Sequence, residues 1–191
     1  MTDSSLPGSH GLHEIIQRRW SPRAYSPRPI EPKKLRALFE AARWSASCFN
    51  EQPWRFVIAT QDQPEQFARL LGLLIDKNQA WAKDAWLLGI SAAKRTFALN
   101  GNPNRFGMHD AGAALTSIML QASAMGLQAH GMAGFDDKRA RVELAIPEDF
   151  DVAAAFTVGY VNGSGEPPAN RQRRALDEIV FRGEWDKKYT L

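Results

Sequence analysis

The segment MHDAGAALTSIMLQASAMG, residues 108–126, limits the possible architectures more than any other part of the sequence. Its composition predicts a long helix, rich in small residues and apolar on most of its faces. A helix of that kind is normally buried inside a protein. Gly126 suits the left-handed conformation with which many helices end. The sequence therefore predicts a central helix that the rest of the chain must cover.

Helices and three or four strands are predicted to alternate along the remainder of the chain. Apolar residues recur at helical spacing in LHEIIQRR, PKKLRALFEAAR, QPEQFARLLGLLID and DDKRARVELA. Strands are expected in WRFVIAT and VAAAFTVGYV, and AWLLGISAA is a short apolar run typical of a buried central strand. We expect LQAHGMAGF to be a strand or a loop, and SASCFNEQP and KRTFALNGNPNRFG to contain loops.

The overall composition fits one globular α/β or α+β domain. A chain of 191 residues is long enough for one core and short for two, and its 44% hydrophobic and 24% charged residues are ordinary for a soluble protein. We expect residues 1–10 to be a disordered tail and residues 11–191 to form a single domain.

Charge and cysteine content narrow the class of protein. The formal net charge of +3 permits anionic ligands without indicating nucleic acid as a partner. Cys48 is the single cysteine, so no intramolecular disulfide can form. The segment MTDSSLPGSHG lacks the features of a signal peptide, and no apolar run approaches the ~18 residues of a spanning helix. We therefore expect a cytoplasmic protein without a membrane partner.

The stretch RRWSPRAY, residues 18–25, concentrates positive charge at the end of the first predicted helix. Arg18, Arg19 and Arg23 lie within six residues, with Ser21 between them. Arginine forks and a serine hydroxyl are good donors for a phosphate group, which carries nearly two negative charges. A solvated charge run and a nucleic-acid patch explain the same residues, so the stretch by itself leaves all three interpretations open.

The stretch SASCFNEQPW, residues 45–54, carries two amides just before a predicted strand. In an extended segment Asn50 and Gln52 point to the same side, where they can donate to and accept from the edge of a heterocycle. The small residues before them let a flat ring approach the backbone. A turn that ends at the strand is the alternative interpretation.

Two further stretches are weaker signals. Gly131 and Gly134 in GMAGF can lie flat against a ligand, although an ordinary turn explains them as well. The basic run NRQRRAL, with Arg171 and Arg173, is also typical of a solvated surface. The sequence contains neither the GxGxxG fingerprint of dinucleotide binding nor a P-loop.

Metal binding and cysteine catalysis are disfavoured. The four histidines have no zinc-type spacing to Cys48 or to one another. His109 and Asp110 are adjacent, and on a helix their side chains are expected to point apart. Nothing beside Cys48 suggests a base that would activate its thiol.

Taken together in this order, the motifs resemble those of a known family, although no single motif is specific enough alone. From about Leu12 to about Val180 the chain resembles the nitroreductase family of flavoenzymes, most specifically in N-x-Q-P-W after small residues and in R-x-S-x-R. The resemblance implies an α+β fold, a three-layer α/β/α sandwich with a mixed, largely antiparallel central sheet. It also implies a homodimer with FMN bound at the interface.

The resemblance assigns FMN-binding roles to twelve residues. Those assigned to the phosphate and ring are Arg19, Trp20, Ser21, Arg23, Arg171 and Arg173. Those assigned to contacts with the flavin are Ser47, Asn50, Gln52, Asn78, Ala133 and Gly134. Trp20 stands where many members have a second basic residue, so we expect it to act through its backbone. Ala133 stands where a subgroup has a glutamate.

The resemblance also implies the chemistry. NADH or NADPH would reduce the flavin, and a nitroaromatic, a quinone or a similar electrophile would then be reduced in a ping-pong cycle. Arg23 is the candidate for stabilising the reduced flavin, and no protein acid or base is required. The alternatives are a member with narrower chemistry (enal reduction, dehalogenation or flavin fragmentation), a non-catalytic flavin sensor and a nucleic-acid binder.

Overall fold

The computed structural model of the protein describes residues 11–163 and 167–189. The tail predicted for residues 1–10 lies outside them. The elements follow one another as α1 (Glu14–Arg18), α2 (Pro32–Arg43), β1 (Trp54–Thr60), α3 (Pro64–Leu71), α4 (Asp76–Ala82), β2 (Leu87–Lys94), α5 (Gly107–Ala124), β3 (Gln128–Met132), α6 (Asp137–Glu143) and β4 (Phe150–Gly159). Short 3-10 turns lie at Cys48–Asn50 and Leu176–Glu178.

The four strands form one sheet in the order β1-β2-β4-β3. Each neighbouring pair is antiparallel, and β2 and β4 are the inner strands. Trp54 at the start of β1 is opposite Ala93, whereas Gln128 at the start of β3 is opposite Gly159. The strand order puts β1 and β3 at the two opposite edges of the sheet.

Helices cover both faces of the sheet. On one face α2 and α5 pack against the sheet through a core that includes Leu38, Ile118 and Phe156. On the other face α3, α4 and α6 bury a second core, which includes Phe67 and Leu88. Successive strand residues supply opposite cores because side chains alternate along a strand. The predicted α+β class and the three-layer sandwich with a largely antiparallel sheet are confirmed.

The predicted central elements are also confirmed. The AWLLGISAA run contains β2, which is buried along nearly all its length between β1 and β4. The long helix α5 packs into the core on one face of the sheet, and β3 follows it in the chain. Gly126 follows its C-cap with a φ of +74°, the left-handed conformation that glycine adopts without strain.

The single helix predicted over QPEQFARLLGLLID is wrong in its extent. Helix α3 ends at Leu71, and a separate helix α4 begins at Asp76. Between them Ile75 is extended, and its N–H donates to the carbonyl of Gly134 at 3.1 Å. This contact with a distant segment ends the helical run that the apolar pattern suggested.

The described part of the chain contains no helix with the length and apolarity needed to cross a lipid bilayer.

Candidate functional site

The end of α1 and the loop that follows it, residues 17–23 and here together called the arginine loop, are held by side chains from distant parts of the chain. Gln128 donates from Nε2 to the Arg18 carbonyl at 3.0 Å and accepts the Trp20 N–H at 3.2 Å. Arg171 donates from Nη1 to the Arg19 carbonyl at 2.7 Å and from Nη2 to the Gln17 carbonyl. The loop backbone is therefore fixed while Ser21 and Arg23 remain exposed.

Three of the predicted arginines form a cluster of like charge. Burial lowers the pKa of Arg19, and the positive charges of Arg171 and Arg173 lower it further. The pKa of Arg171 is lowered by burial and by Arg173. Within the described residues, none of these three arginines, nor Arg23, forms an ion pair with a carboxylate. Such a cluster attracts an anion.

Two of these residues use their polar atoms differently from the sequence-based expectation. Both Nη atoms of Arg171 bind main-chain carbonyls, and its buried Nε has no partner within the described chain. The Trp20 N–H is engaged by Gln128. Ser21 accepts from Arg19 Nη1 at 3.4 Å, so serine and guanidinium lie side by side.

Asn78 and Gly134, predicted from separate stretches, are in direct contact. Asn78 Nδ2 donates to the Gly134 carbonyl at 3.0 Å. A Cβ atom at position 134 would lie 2.6 Å from Asn78 Nδ2 and 2.7 Å from Ile75 Cδ1, so this close approach requires glycine. Ala133 beside it is exposed. We call Asn78, Ala133 and Gly134 the β3-end group.

Ser47, Asn50 and Gln52 belong to a tight turn before β1. Ser47 Oγ accepts the Gln52 N–H at 3.0 Å, and Gln52 Nε2 donates to the Asn50 carbonyl at 3.2 Å. The expected extended segment is wrong, because Phe49, Asn50 and Gln52 have φ values of 53°, 56° and 50°. A compact turn with left-handed residues takes the place of that segment, and the Gln52 amide donates to the main chain of Asn50.

The first turn of α5 supports that turn. Asp110 is 3% exposed, accepts the Cys48 N–H through Oδ2 at 2.9 Å, and lies 3.0 Å from His109 Nδ1 through Oδ1. The expectation that His109 and Asp110 point apart is wrong. Adjacent helical side chains diverge within a continuous helix, but these two lie in its first turn, where the Asp110 carboxylate lies between Cys48 and the His109 ring.

The predicted residues therefore form three groups, and two of them, the 47–52 turn and the arginine loop, lie at opposite corners of the sheet. The turn of residues 47–52 precedes Trp54, which is level with the start of β4, and the arginine loop is bound at Gln128, which is level with the end of β4. Three strand spacings of about 4.8 Å and eight residues of about 3.3 Å put the two corners on the order of 30 Å apart. Helix α5 runs between them, with Asp110 in its first turn and β3 after its end.

Comparison with known proteins identifies the family. The sequence profile of the nitroreductase family matches residues 16–160, which is more than half of the chain. The chain belongs to the nitroreductase family.

Relatives extend over nearly the full length of this nitroreductase-family chain. A protein of Thermus thermophilus named NADH dehydrogenase is 27% identical over 206 residues, which cover 94% of this chain and 98% of the relative. A solved oxidoreductase containing FMN is 32% identical, with a TM-score of 0.86 and coverage of 97% of this chain and 98% of the other. A nitroreductase family protein of Streptococcus pneumoniae, 21% identical over 88% of this chain and 98% of its own, shares the fold with a TM-score of 0.73.

Sequence reasoning missed the residues that support the site of this nitroreductase-family chain. Gln128, His130 and Asp110 hold the segments that carry the predicted residues. A signal existed for the first two, since Gln128 and His130 are polar residues two apart in a short strand and so share one face. No local pattern marked Asp110, whose partner Cys48 lies 62 residues earlier.

Proposed function

We propose that the protein is an FMN-dependent oxidoreductase that takes hydride from NADH or NADPH and delivers it to a small electrophilic acceptor such as a nitroaromatic or a quinone. The observation that carries this proposal is the arginine cluster. Arg19, on the loop that Gln128 holds, lies close to Arg171 and Arg173 of the C-terminal segment, and none of the three has a carboxylate partner in the described chain.

The residues fit FMN. A half-buried guanidinium beside two others is unfavourable unless an anion is present, and a phosphate monoester supplies that anion. Both Nη atoms of Arg171 donate to main-chain carbonyls. We therefore assign direct phosphate contact mainly to Arg19, Ser21 and Arg173, and loop positioning to Arg171. Its unpartnered buried Nε can add one donor.

The names of relatives agree with these cofactors. The solved oxidoreductase that is 32% identical to this chain contains FMN. The Thermus thermophilus relative is named for NADH. A segment of 59 residues, 30% of this chain, is 32% identical to the major NAD(P)H-flavin oxidoreductase of Aliivibrio fischeri.

When bound, FMN supplies the hydride chemistry, accepting from the nicotinamide and giving to the acceptor in a ping-pong cycle. The chain supplies binding and electrostatics. Arg23 is exposed and lacks an ion pair within the described residues, so its charge is available to the anionic ring edge. Asn78 and Gly134 offer a fixed polar edge, and the 47–52 turn offers two amides.

We further propose that the active unit is a homodimer in which each FMN is held by both chains. The arginine loop and the 47–52 turn of one chain lie at opposite corners of its sheet, farther apart than one FMN extends. A second copy related by a two-fold axis brings the 47–52 turn of one chain to the arginine loop of the other. The cytoplasmic location and the absence of a nucleic-acid partner stay predictions.

The first experiment is the visible spectrum of the purified protein with FMN, before and after anaerobic addition of NADH or NADPH. We expect flavin absorbance that bleaches on reduction and returns when a quinone or a nitroaromatic is added. Bound flavin that neither nucleotide reduces would favour a sensor. If the protein binds no flavin even after FMN is added, the proposal is wrong.

A further inference from the structure

Three aromatic side chains form a stack beside the arginine loop. The rings of His130 and Trp81 have centroids 4.6 Å apart and planes 25° apart. Trp81 in turn lies 6.4 Å from the ring of Tyr25, again at 25°. Tyr25 is 4% exposed, and its hydroxyl bonds to Thr157 Oγ1 at 2.8 Å. The stack therefore has a buried anchor at one end and His130 at the other.

His130 also contacts the arginine loop directly. Its Nδ1 lies 2.7 Å from the carbonyl of Pro22. A carbonyl oxygen only accepts, so Nδ1 carries the proton, and in the neutral ring Nε2 is left as an acceptor. Burial lowers the pKa of His130, the bond to Pro22 opposes that effect, and the charges of Arg23 and Arg19 lower the pKa further.

The contacts on the arginine loop divide into two groups. Gln128 and Arg171 bind main-chain atoms of residues 17–20. Among the described residues, His130 makes the side-chain hydrogen bond to the main chain of residues 21–23. Ser21 and Arg23 are exposed, whereas Pro22 between them is fully buried, so packing fixes the Pro22 ring and the bond from His130 fixes its carbonyl.

The stack shares two elements, α4 and β3, with the β3-end group. Trp81 and Asn78 are three residues apart in α4 and so share a helix face. His130 lies in β3, four residues before Gly134, to which Asn78 donates. One ring thus contacts the arginine loop through Pro22 and the helix that carries Asn78 through Trp81.

We propose that His130 is a positioning residue that holds the Ser21–Arg23 half of the arginine loop in register with Asn78 and Gly134. The phosphate of a flavin nucleotide can then bind the arginines while its ring meets the β3-end group. This inference deepens the proposed FMN site and rests on it. It concerns how strongly the phosphate contributes to binding, not whether flavin binds.

The test compares FMN with riboflavin, which lacks the phosphate, by fluorescence titration of the apoprotein. His130→Phe keeps a ring on Trp81 and loses the donor to Pro22. We expect the preference for FMN over riboflavin to fall about 5- to 10-fold, the size of one lost hydrogen bond. His130→Asn, whose amide nitrogen can take the place of Nδ1, is expected to restore most of the preference.

The outcomes separate this inference from the proposed function. If wild-type protein prefers FMN and His130→Phe leaves the ratio of the two affinities unchanged, the positioning role is wrong, even when both affinities fall together. If wild-type protein binds neither flavin, the proposed function and this inference fall together.

A measurement on the wild-type protein covers the case in which His130→Phe does not fold. Histidine nitrogen NMR at neutral pH is expected to report the tautomer with hydrogen on Nδ1, and its signals should move on addition of FMN and less on addition of riboflavin. The opposite tautomer, or equal shifts with both flavins, contradicts the assigned contact.

Discussion

At the scale of single residues, the arginines differ in what surrounds them. Arg174 pairs with Glu178 at 3.4 Å, and Arg18 pairs with Glu14 at 2.8 Å, as solvated surface arginines do. Besides burial, the charges of Arg171 and Arg173 lower the pKa of Arg19, and the charge of Arg173 lowers the pKa of Arg171. This difference favours an anion site over a solvated charge run for the second group.

The neighbouring residues Arg173 and Arg174 give a matched pair of variants. Arg173→Ala is expected to weaken FMN binding by about 10- to 100-fold, because a hydrogen bond to a charged group contributes about 1.5–3 kcal/mol. Arg174→Ala removes the same charge from an exposed ion pair and is expected to change affinity less than about threefold. Fluorescence titration measures both, and equal losses would mean that only net charge matters.

His130 and Glu31 are expected to change the folding stability over different pH ranges. The pKa of His130 is lowered from its usual value of 6.5, chiefly by burial, so the unfolded chain binds more protons just below neutral pH. The Tyr160 hydroxyl, which donates to Glu31 at 2.6 Å, is the main cause that lowers the pKa of Glu31 to about 2. The stability that His130 contributes is therefore lost as the pH falls below 6.5. The stability that Glu31 contributes is lost as the pH falls from about 4.5 towards 2.

Thermal unfolding of the apoprotein between pH 3 and pH 8 checks this assignment. We expect His130→Asn to flatten the curve between about pH 5 and pH 7 and to leave the acid limb in place. Glu31→Gln is expected to flatten the acid limb alone. A His130→Asn curve parallel to that of the wild-type protein would contradict the lowered pKa of His130.

At the scale of elements, α5 supports the 47–52 turn as well as filling the core. Its buried side carries Ile118 into the core on one face of the sheet. Its first turn presents Asp110 to the Cys48 N–H. The turn itself contains three non-glycine residues with positive φ, and such conformations persist only where the surroundings impose them.

Removing the Asp110 carboxylate should loosen this turn. Asp110→Ala leaves the Cys48 N–H without its acceptor, and we expect a loss of about 1–3 kcal/mol in the free energy of unfolding. We also expect faster reaction of the Cys48 thiol with a disulfide reagent. His109→Ala is the control, since that ring is 79% exposed and its contact should contribute less than about 1 kcal/mol.

Urea unfolding and thiol-labelling rates provide the two measurements. Asp110→Asn keeps one acceptor oxygen and is expected to fall between the alanine variant and the wild-type protein. Equal thiol reactivity in all variants would show that the turn does not depend on Asp110.

At the scale of the whole molecule, the proposed homodimer builds each flavin site from both chains. Mixed dimers test whether each site draws on both chains. Arg19→Ala damages the arginine loop, and Gln52→Ala damages the 47–52 turn. In a dimer that contains one chain of each kind, a two-fold arrangement leaves one site intact and doubles the damage in the other.

Co-refolding equal amounts of the two variants is expected to restore about a quarter of the wild-type turnover with NADH and a quinone, because half of the dimers are mixed. Each variant refolded alone gives the baseline. Activity equal to the mean of the two separate variants would mean that one chain supplies both the arginine loop and the 47–52 turn.

Local patterns in the sequence were enough to predict the elements that consecutive residues encode. The apolar run of β2 and the long small-residue helix α5 were predicted because a buried strand and a buried helix need those patterns over consecutive residues. The family was predicted from the order of short motifs, and the profile match confirmed it. The twelve site residues stay predictions, although the structure brings several of them into contact.

How those motifs are held and combined depends on contacts between segments that are far apart in the sequence. Arg171 meets Arg19 across 152 residues, Gln128 meets Arg18 across 110, and His130 meets Pro22 across 108. Such contacts depend on which segments the sheet and its helices bring together, and no local spacing records them. A distant contact also explains the 47–52 turn. The Asp110 carboxylate supports a left-handed backbone conformation that the residues of the turn do not favour by themselves.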